Sequence, residues 1–366
     1  MSTTSAKPQQ SVTTNDEPRL VQPRATAVFW MLMAGLSVAL VVAIVAAVAV
    51  GAVALPFERV VRIIAWHLAP NAVTPDWTPT EAQIVWQFRL PRVLLAVIVG
   101  AALSVSGAVL QAVARNPLAD PYIFGVSSGA SVAAVAVLTL GAAVVGGLSL
   151  TAAAFVGALV AMALVYLLAQ QGGRASSTRL VLAGVALGYV LSAVTSFLVL
   201  RAATPGNSAV ASVLTWLAGS LGGAKWEYLG LPSLIVLFGT ILLLLQARPL
   251  NALLVGEETA TGLGVNVERF RLQLFVITSL MVGAVVALSG SIGFVGLMIP
   301  HLVRMLVGAD HRRVLPLAAL SGGVYLVLVD LVGRTLIAPQ ELPVGIVTAA
   351  LGGPFFLWLM RRRVKG

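Results

Sequence analysis

Apolar runs about as long as a bilayer is thick follow one another along almost the whole of this chain. A helix crossing the hydrocarbon core needs ~20 apolar residues. Ten stretches meet or approach that length: Ala27–Leu55, Val93–Ala114, Ile123–Val145, Leu148–Ala169, Leu180–Leu200, Leu231–Ala247, Leu272–Leu288, Phe294–Val307, Val314–Val332 and Val344–Met360. Only 10% of the residues are charged and the mean hydropathy is +0.98, whereas soluble domains carry about 25% charged residues. The reading is an all-α integral membrane protein of about ten transmembrane helices.

Phe294–Val307 is short and contains Pro300, which predicts a kinked helix sheltered by neighbours. Ser208–Leu221 follows Thr204-Pro205-Gly206-Asn207, is too short to cross, and ends at Gly222-Gly223. It reads as a re-entrant half-helix, which needs a protein-lined setting rather than lipid. Phe57–Leu68 reads as a surface helix before a Pro- and Trp-rich loop, Pro70–Pro79. Residues 1–25 are polar and read as a disordered cytoplasmic tail, and 26–366 as a single transmembrane domain. Ala52-Val53-Ala54 resembles a signal-peptidase site, but the run before it is about twice a normal signal core. It is therefore read as the first membrane helix.

An even number of spans puts both termini on one side. Of the 23 lysines and arginines, 16 then fall on that side, and the positive-inside bias makes it the cytoplasm. The net charge of +10 thus sets orientation and gives no reason to expect nucleic acid. Thirty-five glycines suit close helix approach in a bilayer. There is no cysteine, which removes disulfides and thiolate metal sites. The three histidines, His67, His301 and His311, have no partner at metal-ligand spacing, so no metal is expected.

One polar interval stands out, Arg248–Arg271, between two apolar runs. Glu257 and Glu258 open a short helix, where carboxylates suit the positive dipole end, and Gly262 and Gly264 close it. Two helical turns are only ~12 Å long and hold together only when packed. The interval reads as a cytoplasmic loop gripped by another protein. No G-x-x-x-x-G-K-[ST] phosphate loop occurs, nor any catalytic triad. Any ATP must be hydrolysed by separate chains.

Three further stretches, in order, carry a family likeness. Arg89-Leu-Pro-Arg92 opens a run that continues through GAALSVSGAVLQAVARNPLADPYIFGVSSGAS to Ser131. Thr178–Gly188 reads TRLVLAGVALG. SGSIGFVGLMIPHLVR, Ser289–Arg304, is followed by Asp310-His311-Arg312 and by Glu341-Leu-Pro-Val-Gly345. From Arg89 to the C-terminus the chain resembles the FecCD-type permeases, the membrane subunits of ABC importers for ferric siderophores, haem and cobalamin. The resemblance implies a cobalamin-permease-like fold and a multi-pass protein of the bacterial cytoplasmic (inner) membrane. It also implies a second permease subunit, identical or paralogous, two cytoplasmic ABC ATPases using ATP and Mg, and an extracytoplasmic solute-binding protein. This chain would bind no cofactor and catalyse nothing; its cargo would be an iron chelate, with ferric siderophore the broadest class.

Site residues follow from the same resemblance. Residues 249–270 match a coupling loop, so Gly256, Glu257, Glu258, Thr259, Ala260, Leu263 and Gly264 would seat in the ATPase. Arg89 and Arg92, at the outer end of the second helix, and Arg334, at the outer end of the ninth, would dock carboxylates of the binding protein, a task suited to the guanidinium fork. Flanking arginines also serve as headgroup anchors. Asn116, Leu118, Ser176, Ser177 and Thr178 would line a cytoplasmic gate, although Asn-Pro and Ser/Thr also terminate and cap helices. Asp330, nearly the only acid inside a predicted span, lies four residues before Arg334. It is expected to pair with that arginine rather than to relay protons in a stand-alone ion-coupled transporter.

Overall fold

The computed structural model describes residues 23–51, 55–70, 74–172, 174–203 and 209–363. Most of the N-terminal tail, Ala52-Val53-Ala54 and the Thr204–Ser208 approach to the half-helix lie outside the described residues. Fifteen α-helices follow in chain order. The first nine are α1 (Pro23–Ala49), α2 (Phe57–Leu68), α3 (Pro79–Gln83), α4 (Leu90–Ala114), α5 (Val126–Leu140), α6 (Leu150–Ala169), α7 (Ser177–Ala202), α8 (Ala209–Ala218) and α9 (Trp226–Leu245). Then come α10 (Ala247–Val255), α11 (Glu257–Gly262), α12 (Val267–Ser289), α13 (Val295–Val307), α14 (His311–Thr335) and α15 (Val344–Arg363). A two-residue hairpin pairs Gln171 with Arg174 between α6 and α7.

Among the described residues seven helical stretches are long and apolar enough to span, and α5, α13 and α15 are shorter apolar helices. Together they make the ten of an all-α integral membrane fold, with α8 as the half-helix. The end of α8 is walled by protein. Ser220 N donates to Ser289 O at 2.8 Å, and a Cβ on Gly345 would fall 2.3 Å from Ala218 O. Backbone that leaves helical geometry at this depth finds its partners in other backbone, as a low-dielectric setting requires.

α4 is the axle. It is buried along most of its length and packs against α14, α12, α13 and α9. Glycine makes this possible at two crossings. A Cβ on Gly100 would lie 2.1 Å from Gly322 O on α14, and one on Gly107 would lie 1.9 Å from Gly296 O on α13. With no hydrophobic drive between helices in lipid, such backbone proximity maximises dispersion contact.

The second span begins earlier than the sequence suggested. Helix runs without a break from Pro79 through Ala114, so Arg89 and Arg92 lie inside it and not at its outer end. Its start is a capping box: Thr78 Oγ1 accepts from Glu81 N at 3.3 Å while Thr78 N donates to Glu81 Oε2 at 2.8 Å. Pro91 removes one helix donor, and the chain absorbs this in a π-helical segment, Ile84–Arg89, where Leu90 N reaches back to Val85 O. In that register the carbonyl facing the missing N–H is Trp86 O, and Trp226 Nε1 donates to it at 2.7 Å. The third span is shorter than expected: Pro121–Phe124 is a 3-10 turn, α5 ends at Leu140, and Ala142–Val145 is a second 3-10 turn.

Candidate functional site: two polar assemblies at opposite ends of α14

α14 is about 35 Å long and carries a polar assembly at each end. At its C-terminal end Asp330, 1% exposed, is gripped by two arginines. Arg92 Nη2 lies 2.9 Å from Asp330 Oδ1, and Arg334 Nε 3.0 Å from Oδ2. The i,i+4 pair expected for Arg334 is present, and Arg92, from a helix 238 positions away, completes the set. Arg92 Nη1 turns outward to Glu341 Oε2 at 2.7 Å, where Glu341 is 51% exposed and Arg92 only 12%. Arg89 Nη1 donates to Val48 O and Ala49 O, and Arg334 Nη2 to Ala47 O. Two guanidinium groups therefore cap the last carbonyls of α1, where cations offset the negative dipole end. The three predicted docking arginines do cluster, but mostly below the surface.

At the other end of α14, Asp310 caps the helix by accepting from Arg312 N at 3.0 Å. Asn251 of α10 donates to Asp310 Oδ1 at 2.6 Å and accepts from His311 N at 2.9 Å. This clamp fastens the polar interval to the start of α14. The short helix α11 spans Glu257–Gly262, as the Glu and Gly signals predict, and Gly264 has φ +82. Ala260 is buried while Glu258, Thr259 and Gly264 are exposed. Val255 at 75% and Leu263 at 70% exposure leave an apolar ridge beside the acids. Glu257 is paired, at 2.7 Å, with the buried Arg271, and Gly256 provides the extended link between α10 and α11.

The gate candidates divide between two cavities. Asn116 and Leu118 line an apolar cavity of about 360 Å³ together with Phe294, His301 and Phe356; Asn116 Oδ1 accepts from Leu118 N at 2.9 Å, holding the turn. Ser176 lines a polar cavity of about 810 Å³ beside α11. Ser177 Oγ donates to Val113 O at 2.7 Å, joining the two segments, and Thr178 is exposed. Just after Asn116-Pro117-Leu118, Asp120 caps the 3-10 turn by accepting from Tyr122 N at 2.8 Å. Burial pushes its carboxyl up to about 6 and pushes the Tyr122 phenol up as well. Tyr122 Oη accepts from Ile292 N at 2.9 Å.

Sequence reasoning missed Asn251, Glu341 and Trp226. Asp310 and Glu341 stand in motifs it singled out, but their partners lie 59 and 249 positions away, and no local signal joins them.

The fold is that of a helical membrane domain with a half-helix and a two-helix polar loop, and comparison with known proteins gives its class, the membrane permeases of ABC transporters. The model of the FecCD transport family matches residues 39–362, and the chain belongs to that family. The cobalamin import system permease protein of Halobacterium salinarum is 48% identical over 286 residues, 78% of this chain and 75% of that one. The hemin transport system permease protein of Yersinia pestis is 42% identical over 294 residues, covering 78% and 87%. A solved ABC transporter assigned to the metal-chelate type, in an inward-facing conformation, superposes with TM-score 0.78 at 34% identity, over 91% of this chain and 99% of that one.

Proposed function

We propose that this chain is the permease subunit of a binding-protein-dependent ABC importer in the cytoplasmic membrane, with both termini inside, moving a metal chelate inward. The 48% identity to a cobalamin permease is the observation that carries this reading. With the relative named for hemin, it favours a corrinoid or haem cargo. Ferric siderophore is the second reading, favoured by the metal-chelate type of the solved neighbour. Uptake of labelled cobalamin, haem and a ferric siderophore by a deletion strain, with and without this chain, decides between them. Failure to restore any of the three overturns the proposal.

In this mechanism two copies or paralogues enclose the pathway, and two ATPases using ATP and Mg close beneath the 249–270 loop. The Val255 and Leu263 ridge with Glu258 is the surface they grip. The Asn251 clamp passes the motion to α14, and Asn116, Leu118 and Ser176–Thr178 part as the gate. The reversal Glu258→Arg with Leu263→Glu tests this, because both side chains are exposed and leave the Glu257–Arg271 pair intact. Intact ATPase association in that variant refutes the coupling role. On the opposite end Arg92 is the docking residue, exchanging Glu341 for a carboxylate of the binding protein. Arg89 and Arg334 take part only by releasing α1.

A further inference from the structure

The seam between α6 and α12 holds two cavities end to end, one apolar and one polar. The apolar groove, about 350 Å³, is floored by Tyr166 and Phe275, whose rings are 5.9 Å apart. Its rims are Leu167, Leu272 and Val276, all exposed. Both helices are among the apolar spans, so the groove lies within the membrane-spanning part of the chain. The polar cavity of about 810 Å³ opens where α6 gives way to Gln171 and where α12 begins at Val267. On α12 its residues Glu268 and Arg271 lead directly, at helical spacing, to Leu272, Phe275 and Ser279 of the groove. A polar chamber at the ends of two spanning helices, continuing into an apolar trough along them, has the outline of one lipid.

The charges specify which kind. Arg179 and Arg271 face Glu257 and Glu268 in the polar chamber, so its formal charge is balanced. Arg271 is committed to Glu257 at 2.7 Å. Arg179 and Glu268 take part in no ion pair among the described residues. An anionic headgroup would match Arg179 and oppose Glu268. A headgroup carrying a phosphate and a primary ammonium matches both, since the guanidinium donates to phosphate and the ammonium donates to carboxylate. We propose that the α6–α12 seam binds a zwitterionic aminophospholipid, its phosphate on Arg179, its ammonium on Glu268 and an acyl chain over Tyr166 and Phe275. Because the chamber wall includes Glu257 of the projecting loop, the lipid would brace that loop against α6.

The test is native mass spectrometry of the full chain, delipidated in detergent and titrated separately with phosphatidylethanolamine, phosphatidylcholine, phosphatidylglycerol and inorganic phosphate. Phosphatidylethanolamine is expected to bind best. Glu268→Gln and Arg179→Gln should each weaken it about ten-fold, the loss of one charge-assisted contact. Ala163→Trp, from an exposed position lining the groove, should block the acyl chain without touching the headgroup chamber. Tighter binding of phosphatidylglycerol, equal binding of phosphatidylcholine, retention unaffected by Glu268→Gln, or full competition by inorganic phosphate would each overturn the assignment. Equal melting temperatures of the variants in the absence of lipid show that lost binding is not lost folding. The measurement requires no ATPase and no cargo, so it stands or falls apart from the transport reading.

Discussion

Asp330 is the residue on which the Arg92–Asp330–Arg334 assembly turns. A carboxylate that is 1% exposed between two guanidinium groups is worth little as a net gain, because desolvation cancels much of the attraction. Its removal is another matter. Asp330→Ala leaves Arg92 and Arg334 buried without their shared counter-charge, and a loss of about 3–5 kcal/mol is expected, read as a large drop in the melting temperature of the purified chain. An ion-coupled transporter would instead lose gradient-driven uptake at unchanged stability. Asp120 makes the opposite prediction. Burial raises its carboxyl from 3.8 to about 6, so the folded state holds the proton more tightly than the unfolded one. Its contribution is therefore most favourable below pH 4 and is lost as pH rises through about 6. Asp120→Asn keeps a cap for Tyr122 N and should raise stability at pH 7.5 by up to about 3 kcal/mol, with almost no effect at pH 3.5. A melting curve at each pH checks the sign.

At the scale of elements, the second span shows how a broken rule is repaired. Pro91 argues for a helix end, yet the π-helical segment and the Trp226 indole restore the hydrogen-bond ledger around Trp86 O. Trp226→Phe keeps an aromatic ring beside Trp86, whose centroid is 5.0 Å away, and deletes the donor with the smaller ring of the indole. A cost of about 1 kcal/mol is expected for the loss of a partner to this part-buried carbonyl. The same change should loosen the register that aims Arg89 at α1 and Arg92 at α14, measurable as faster hydrogen exchange across residues 84–92. The polar loop is fastened to α14 by a long-range contact of the same sort. Asn251→Ala removes three hydrogen bonds to the start of α14, with Asp310 Oδ1, His311 N and His311 Nδ1. ATPase binding should survive while stimulated transport falls, because the grip on Leu263 and Glu258 is untouched and only the linkage is cut.

For the whole molecule, packing is decided where backbones touch. Gly107→Leu or Gly100→Leu drives a side chain into a carbonyl that lies about 2 Å from the position of its first carbon, and neither helix can yield without losing its neighbours. Both variants should fail to reach the membrane as folded protein, scored by fluorescence-detected size exclusion. Gly230→Leu, with no atom near its Cβ position, should behave as wild type. A permease built this way is a stack of close helices around α4, with a polar assembly at each end of α14.

Much of this was legible from residue order alone. The apolar runs dictated a helical membrane protein, since lipid tolerates little else, and the local end signals at Glu257 and Gly262 placed α11 correctly. The four-residue spacing of Asp330 and Arg334 likewise foretold their ion pair. The Thr78–Glu81 box that starts the second span is equally local but went unread, and the helix passes Pro91 with the help of Trp226, 140 positions from the Trp86 carbonyl it caps. What tertiary structure alone decided is which charges are spoken for: Arg89 and Arg334 by the end of α1, Arg92 by Asp330 and Glu341, Asp310 by Asn251. Sequence fixes helices because their hydrogen bonds are made between near neighbours. It cannot pair buried charges drawn from distant helices, because that pairing exists only after the helices have packed.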